Sequence, residues 1–156
     1  MAEEFQRTES APLQGVVAMG VAMIESLLKE WNIDPAAVKD RERNLWYLSQ
    51  GSAKFHIELF KFNKGPQVGD VDCIEVGGII MKLPQDNFLP LYRRLLDLNS
   101  TAVGLYFAIR KDLIMLLCTR ELKGMDADEF RLMVNEVRYF TDFWDDILMK
   151  EFGGSK

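Results

Sequence analysis

From Leu13 onward, apolar or small residues recur at positions 13, 16, 17, 20, 21, 24, 27, 28 and 31, which lays one broad apolar face along a helix. Asp34-Pro35 follows, and a residue ahead of proline is pushed out of the α region, so this helix is predicted to stop near Trp31. The hydrophobic period then falls to two. Leu45-Trp46-Tyr47-Leu48 predicts a short strand with its turn at Gln50-Gly51-Ser52. Phe55, Ile57 and Leu59 alternate with His56 and Glu58, as in a strand covered on one face. Asn63-Lys64-Gly65-Pro66 breaks that strand, and a third runs over about residues 71–83. Gly77-Gly78 in its middle marks a bulge or a close backbone approach; no helix start follows directly, so it is not a phosphate loop.

Beyond Pro84 the spacing is helical again. Asp86 or Asn87 is expected to cap a second helix, whose apolar side carries Phe88, Leu91, Tyr92, Leu95, Leu96 and Leu98 and which is expected to stop near Asn99. Two strands joined at Lys111-Asp112 predict an antiparallel hairpin, one reaching Arg110 and the other covering residues 113–119. In the last segment Asp126 precedes Glu129 by three residues, a variant capping box. Behind it Phe130, Met133, Val137, Phe140, Trp144, Ile147 and Leu148 line one face through Phe152. Seven such side chains give about 10–20 kcal/mol of gross burial energy, so packing rather than intrinsic propensity decides this helix. The order is α-β-β-β-α-β-β-α. It predicts an α+β domain with an antiparallel five-stranded sheet and three helices, spanning residues 13–152 between a flexible tail at 1–12 and a short tail at 153–156.

Composition narrows the function. The chain has 156 residues, 48% hydrophobic and 28% charged, and a net charge of −5. No third of it is strongly basic, so nucleic acid is not expected as a partner. The longest apolar run, residues 15–24, is too short to span a membrane, and the acidic residues ahead of it do not suit a signal peptide. Cys73 and Cys118 fall in strand-like segments and are expected as buried free thiols. These features point to a cytoplasmic protein.

Chemistry is sparse. His56 is the only histidine, and beside Glu58 on one strand face it is expected as a surface or satisfied residue rather than a base or metal ligand. Asp142, Asp145 and Asp146 are expected on a solvated face, with Arg138 meeting Asp142 and Asp146 meeting Lys150 at i,i+4. No catalytic residue, cofactor or metal site is expected, and the chain is not read as an enzyme. Two surfaces are candidates for binding. The second helix is apolar over more of its circumference than one sheet contact requires, which makes Phe88, Leu91, Tyr92, Arg93, Leu95 and Leu96 a candidate dimer or partner surface. Trp46, Phe60, Phe62 and Tyr106 form a candidate aromatic patch on the other sheet face, unless the first helix covers them.

The element order resembles the fold of class I type III secretion chaperones. Residues 91–99 (Leu-Tyr-Arg-Arg-Leu-Leu-Asp-Leu-Asn), Phe107-Ala108-Ile109, and residues 140–148 (Phe-Thr-Asp-Phe-Trp-Asp-Asp-Ile-Leu) are similar to the YbjN-type family of bacterial sensory-transduction regulators. The resemblance covers about half the chain, from Met81 to the end, and carries no catalytic residues with it. It implies a homodimer built on the second helix and a protein partner held as an extended segment. A regulator docking onto a folded signalling or stress-response factor is the alternative.

Overall fold

A computed structural model describes residues 7–9 and 15–155. In chain order the elements are β1 (Arg7–Glu9), α1 (Val16–Glu30), α2 (Pro35–Val38), β2 (Leu45–Gln50), β3 (Ala53–Asn63), β4 (Asp70–Lys82), α3 (Phe88–Thr101), β5 (Tyr106–Arg110), β6 (Leu113–Glu121) and α4 (Ala127–Phe152). This is the expected α+β architecture. The strands share one antiparallel sheet in the order β1-β3-β4-β6-β5, with β2 also paired to β3. All five expected strands are present. A sixth, β1, comes from the segment expected as a tail and sets Arg7, Thr8 and Glu9 opposite Phe62, Lys61 and Phe60. The rest of the residues expected as that tail lie outside the described residues.

The chain packs as two compact units, each gathered from three segments. The first comprises residues 1–48, 56–75 and 119–131. Val17, Val21, Ile24, Leu27 and Leu28 of α1 are buried in it, as are Ile57, Leu59, Ile74, Leu122 and Phe130. Gly20 is the point of closest approach: a Cβ there would lie 2.8 Å from Leu122 Cδ2 and 3.2 Å from Leu59 Cδ1. α1 is closed before Asp34-Pro35 is reached: Asn32 stands at φ 57° and Ile33 N–H donates to Leu28 O. The Asp34 carboxylate accepts from the Ala36 amide and Pro35 takes the first helical position, so the pair starts α2. Nearby, the Asp40 carboxylate accepts from the Glu42 and Arg43 amides, and these two bonds hold its pKa below the ordinary aspartate value. The expected capping box is complete at α4: Glu129 N–H donates to Asp126 Oδ1 (2.8 Å) and Asp126 N–H to Glu129 Oε2 (3.3 Å).

The second unit comprises residues 49–55, 76–118 and 132–156. Its core joins Ile80 and Met81 of β4, Leu91 and Leu95 of α3, Phe107 of β5, Ile114 and Leu116 of β6, and Leu148 of α4. Three details depart from the sequence reading. Residues 153–155 are not a loose end: Gly153, at φ 70°, donates its N–H to Met149 O to close α4, and Ser155 O accepts from Lys82 N. Asn87 takes the N-cap position of α3 at φ 59° without a side-chain capping bond. Asn99 does not stop α3, which continues to Thr101.

The Asn99 carboxamide serves β5 instead. Its Nδ2 donates to Phe107 O (3.1 Å) and its Oδ1 accepts from Phe107 N–H (2.7 Å), as a neighbouring strand residue would. Because β5 ends the strand path, this side chain occupies part of an otherwise open edge. Asn99→Leu removes both bonds and is expected to lower stability by about 1–3 kcal/mol. In urea denaturation this appears as a lower midpoint at unchanged slope.

Candidate functional site

The candidate surface on α3 divides by helical phase. Leu91 and Leu95, four residues apart, point inward and are buried. Phe88, Tyr92 and Leu96 follow one another at intervals of four on the outer side, flanked by Leu89 and Arg93. All five are exposed, Leu89 at 81% and Leu96 at 68%. The Phe88 and Tyr92 rings stack with centroids 6.0 Å apart. Of the six residues expected at this surface, Leu91 and Leu95 therefore anchor the helix to its own core, and Phe88, Tyr92, Arg93 and Leu96 form the outer face. Leu89 belongs with them, and helical spacing alone pointed to it. Arg94 points elsewhere: it holds Glu151 through two bonds (3.2 and 3.3 Å) and lies over the Trp144 ring.

The second candidate patch does not hold together as an exposed surface. Trp46 is fully buried and Phe60 nearly so, both in the first unit; Phe62 is half-buried. Lys39 pairs with Trp46 through an isolated bridge and sets its ammonium 5.0 Å from the indole ring, so the α2–β2 connection lies over this tryptophan. Tyr106 is exposed, but on β5 of the second unit.

On α4 the expected apolar face of Phe130, Met133, Val137, Phe140, Trp144, Ile147 and Leu148 is buried or half-buried throughout, whereas Asp145, expected on a solvated face, is buried. Thr141, Asp145 and Leu148 are buried, and Phe140, Trp144 and Ile147 are half-buried. The reason is Gly78, against which the small Thr141 packs closely and so fixes the rotation of the helix. Arg138 donates to Gln50 and Asp142 accepts from Ser52, tying α4 to the β2–β3 turn. An outer face missed by sequence reading results, bearing Leu132, Tyr139 and Phe143. Their intervals of seven and four were the available signal. The Tyr139 and Phe143 rings stack at 6.4 Å. Altogether ten of the thirteen exposed large hydrophobic side chains among the described residues lie in the second unit.

His56 is not at the surface. It is buried against the more deeply buried Glu75, Nε2 to Oε1 3.1 Å, and Thr119 Oγ1 donates to Glu75 Oε2 (3.0 Å). Cys73 and Cys118 are buried free thiols, as expected. No helix among the described residues is long and apolar enough to cross a membrane.

The antiparallel sheet with its helices matches the fold of type III secretion chaperones. Particular solved structures share it. A chain of the ExsC–ExsE complex matches with a TM-score of 0.65 at 11% identity, over 86% of this chain and 97% of that one. A chain of the HopA1–SchA chaperone–effector complex matches with a TM-score of 0.52 at 9% identity, over 82% and 97%. A chain of the heterodimeric ExoU–SpcU complex from the type III secretion system of Pseudomonas aeruginosa gives 0.51 at 13% identity, over 79% and 95%. The likeness is one of fold. No protein-family profile matches the sequence, and no curated protein matches it.

Proposed function

We propose that this chain is a non-catalytic, cytoplasmic binding module that holds a polypeptide partner and works as a homodimer, in the manner of secretion chaperones. The observation that carries the reading is the outer face of α3. Phe88, Leu89, Tyr92 and Leu96 make an apolar stripe on a helix whose other side is already committed to the core. Leaving that stripe in water forgoes about 25 cal/mol for each Å² of apolar surface, which a second copy recovers by burying it. The structural neighbours support the partner half of the reading, because each was solved as a complex of two named polypeptides.

One observation favours a second reading. Asn99 closes the β5 edge at Phe107, so a partner cannot add a strand there without displacing it. A folded signalling or stress-response factor docking on side chains alone fits that constraint, in line with the resemblance to YbjN-type regulators. The two readings separate on the state of the partner. A chaperone retains a heat-denatured partner, whereas a regulator requires it native.

The direct test is solution mass. Light scattering on the full chain is expected to give twice the monomer mass. Tyr92→Glu with Leu96→Glu is expected to halve it, while each exposed substitution shifts stability by no more than about 0.5 kcal/mol. A parent chain that is monomeric at every concentration removes the homodimer from the proposal.

A further inference from the structure

Alternation along β3 places His56 and Glu58 on one strand face, and Glu75 of the adjacent strand β4 meets them there. One ligand atom from each of the three lies within 4.8 Å of the other two. We propose that His56, Glu58 and Glu75 form a binding site for a divalent transition-metal ion of the zinc class, built into the first unit.

Geometry comes first. Four-coordinate zinc with bonds of about 2.0–2.2 Å sets its ligand atoms roughly 3.4 Å apart. His56 Nε2 and Glu75 Oε1 are already 3.1 Å apart, and Glu58 closes the remainder by side-chain rotation, since it is the only partly exposed member. Its exposure also provides the route by which an ion enters. The site has outer support as well. The Thr119 hydroxyl donates to Glu75 Oε2, leaving Oε1 turned toward the histidine, which is how a ligating carboxylate is held in place.

Charge points the same way. The Glu75 side chain is 2% exposed, and a buried carboxylate is costly without a strong counter-charge. Arg43 stands 4.0 Å from Glu58. A divalent ion on a neutral imidazole and two carboxylates neutralises the cluster. Nitrogen with carboxylate oxygens selects zinc, cobalt, nickel, manganese or ferrous iron over the softer ions that require sulfur. Three protein ligands leave the fourth position to water. The competing account is the His56–Glu75 pair alone, with no metal.

The experiment uses the full chain without a polyhistidine tag, so that His56 is the only imidazole present. Zn²⁺ is titrated calorimetrically, and Co²⁺ in parallel by its visible d–d absorption. One ion per chain is expected, with a cobalt spectrum of tetrahedral type. His56→Gln and Glu58→Gln should each weaken binding by at least tenfold, and Thr119→Val by about 10–100-fold. Glu58→Gln guards against a folding artefact, because that side chain is partly exposed. Cys73→Ser, which alters the buried thiol two residues from Glu75 on β4, should leave affinity unchanged. Absence of stoichiometric binding at micromolar free metal overturns the site and leaves the plain ion pair. So does affinity that survives His56→Gln, or that is lost in Cys73→Ser.

Discussion

Gly78→Ala is expected to cost about 3 kcal/mol or more. A Cβ at position 78 would lie 1.9 Å from Thr141 Oγ1, 2.8 Å from its Cβ and 2.9 Å from its Cγ2. Rotating the threonine does not help, because its Cβ is fixed to the α4 backbone and is itself too close. The helix has to move off β4, and overpacking of this kind usually costs 1–3 kcal/mol before a backbone shift is added. Chemical denaturation of the single variant measures the loss. Thr141→Gly in the same background is expected to restore more than half of it, and that coupling separates a steric clash from a general intolerance of Gly78. If the double variant is merely the sum of the two single losses, the close approach is not what holds this region together.

Trp46→Ala is the second large effect, about 3–5 kcal/mol, as for a fully buried aromatic side chain. Trp46→Phe should cost much less, under about 1.5 kcal/mol. The indole Nε1 has no hydrogen-bond partner among the described residues, so the swap gives up packing volume but no bond. Thermal or urea unfolding compares the two variants. The pair matters because the sequence offered Trp46 as part of an exposed aromatic patch. An exposed tryptophan would give nearly equal, small effects for both, and that outcome would place Trp46 back on the surface.

Much of the architecture was legible from residues alone, for reasons that are local. Period-two alternation at Phe55, Ile57 and Leu59 marked β3, and Asp126 with Glu129 marked the start of α4 to within a residue. Gly77-Gly78 signalled a close approach before anything indicated its neighbour. What failed was non-local. Whether Trp46 faces water depends on Lys39 and the chain around it, a contact no periodicity announces. On α4 the apolar face was legible but the burial of Asp145 was not, because the fit of Thr141 to a residue 63 positions earlier sets how the helix seats. On α3 the excess of apolar positions was visible in the sequence, but its division into inner and outer members needed the core. The grouping of His56, Glu58 and Glu75 was half legible. Strand alternation joined the first two, and only the pairing of β3 with β4 supplied the third.

The carboxamide of Asn99 bears on the order in which the sheet can assemble. Asn99 and Phe107 are only eight residues apart, so their contact closes a short loop at little entropic cost and needs nothing beyond α3 and the first residues of β5. On a ribosome that contact is available before residue 113 has emerged. The strand then reaches its hairpin partner with one side already occupied, and β6 can zip only onto the other. A single amide group thus gives β5 a handedness of growth: it steers the incoming strand toward β4 and withholds a sticky edge from neighbouring nascent chains while the rest of the protein is still being translated.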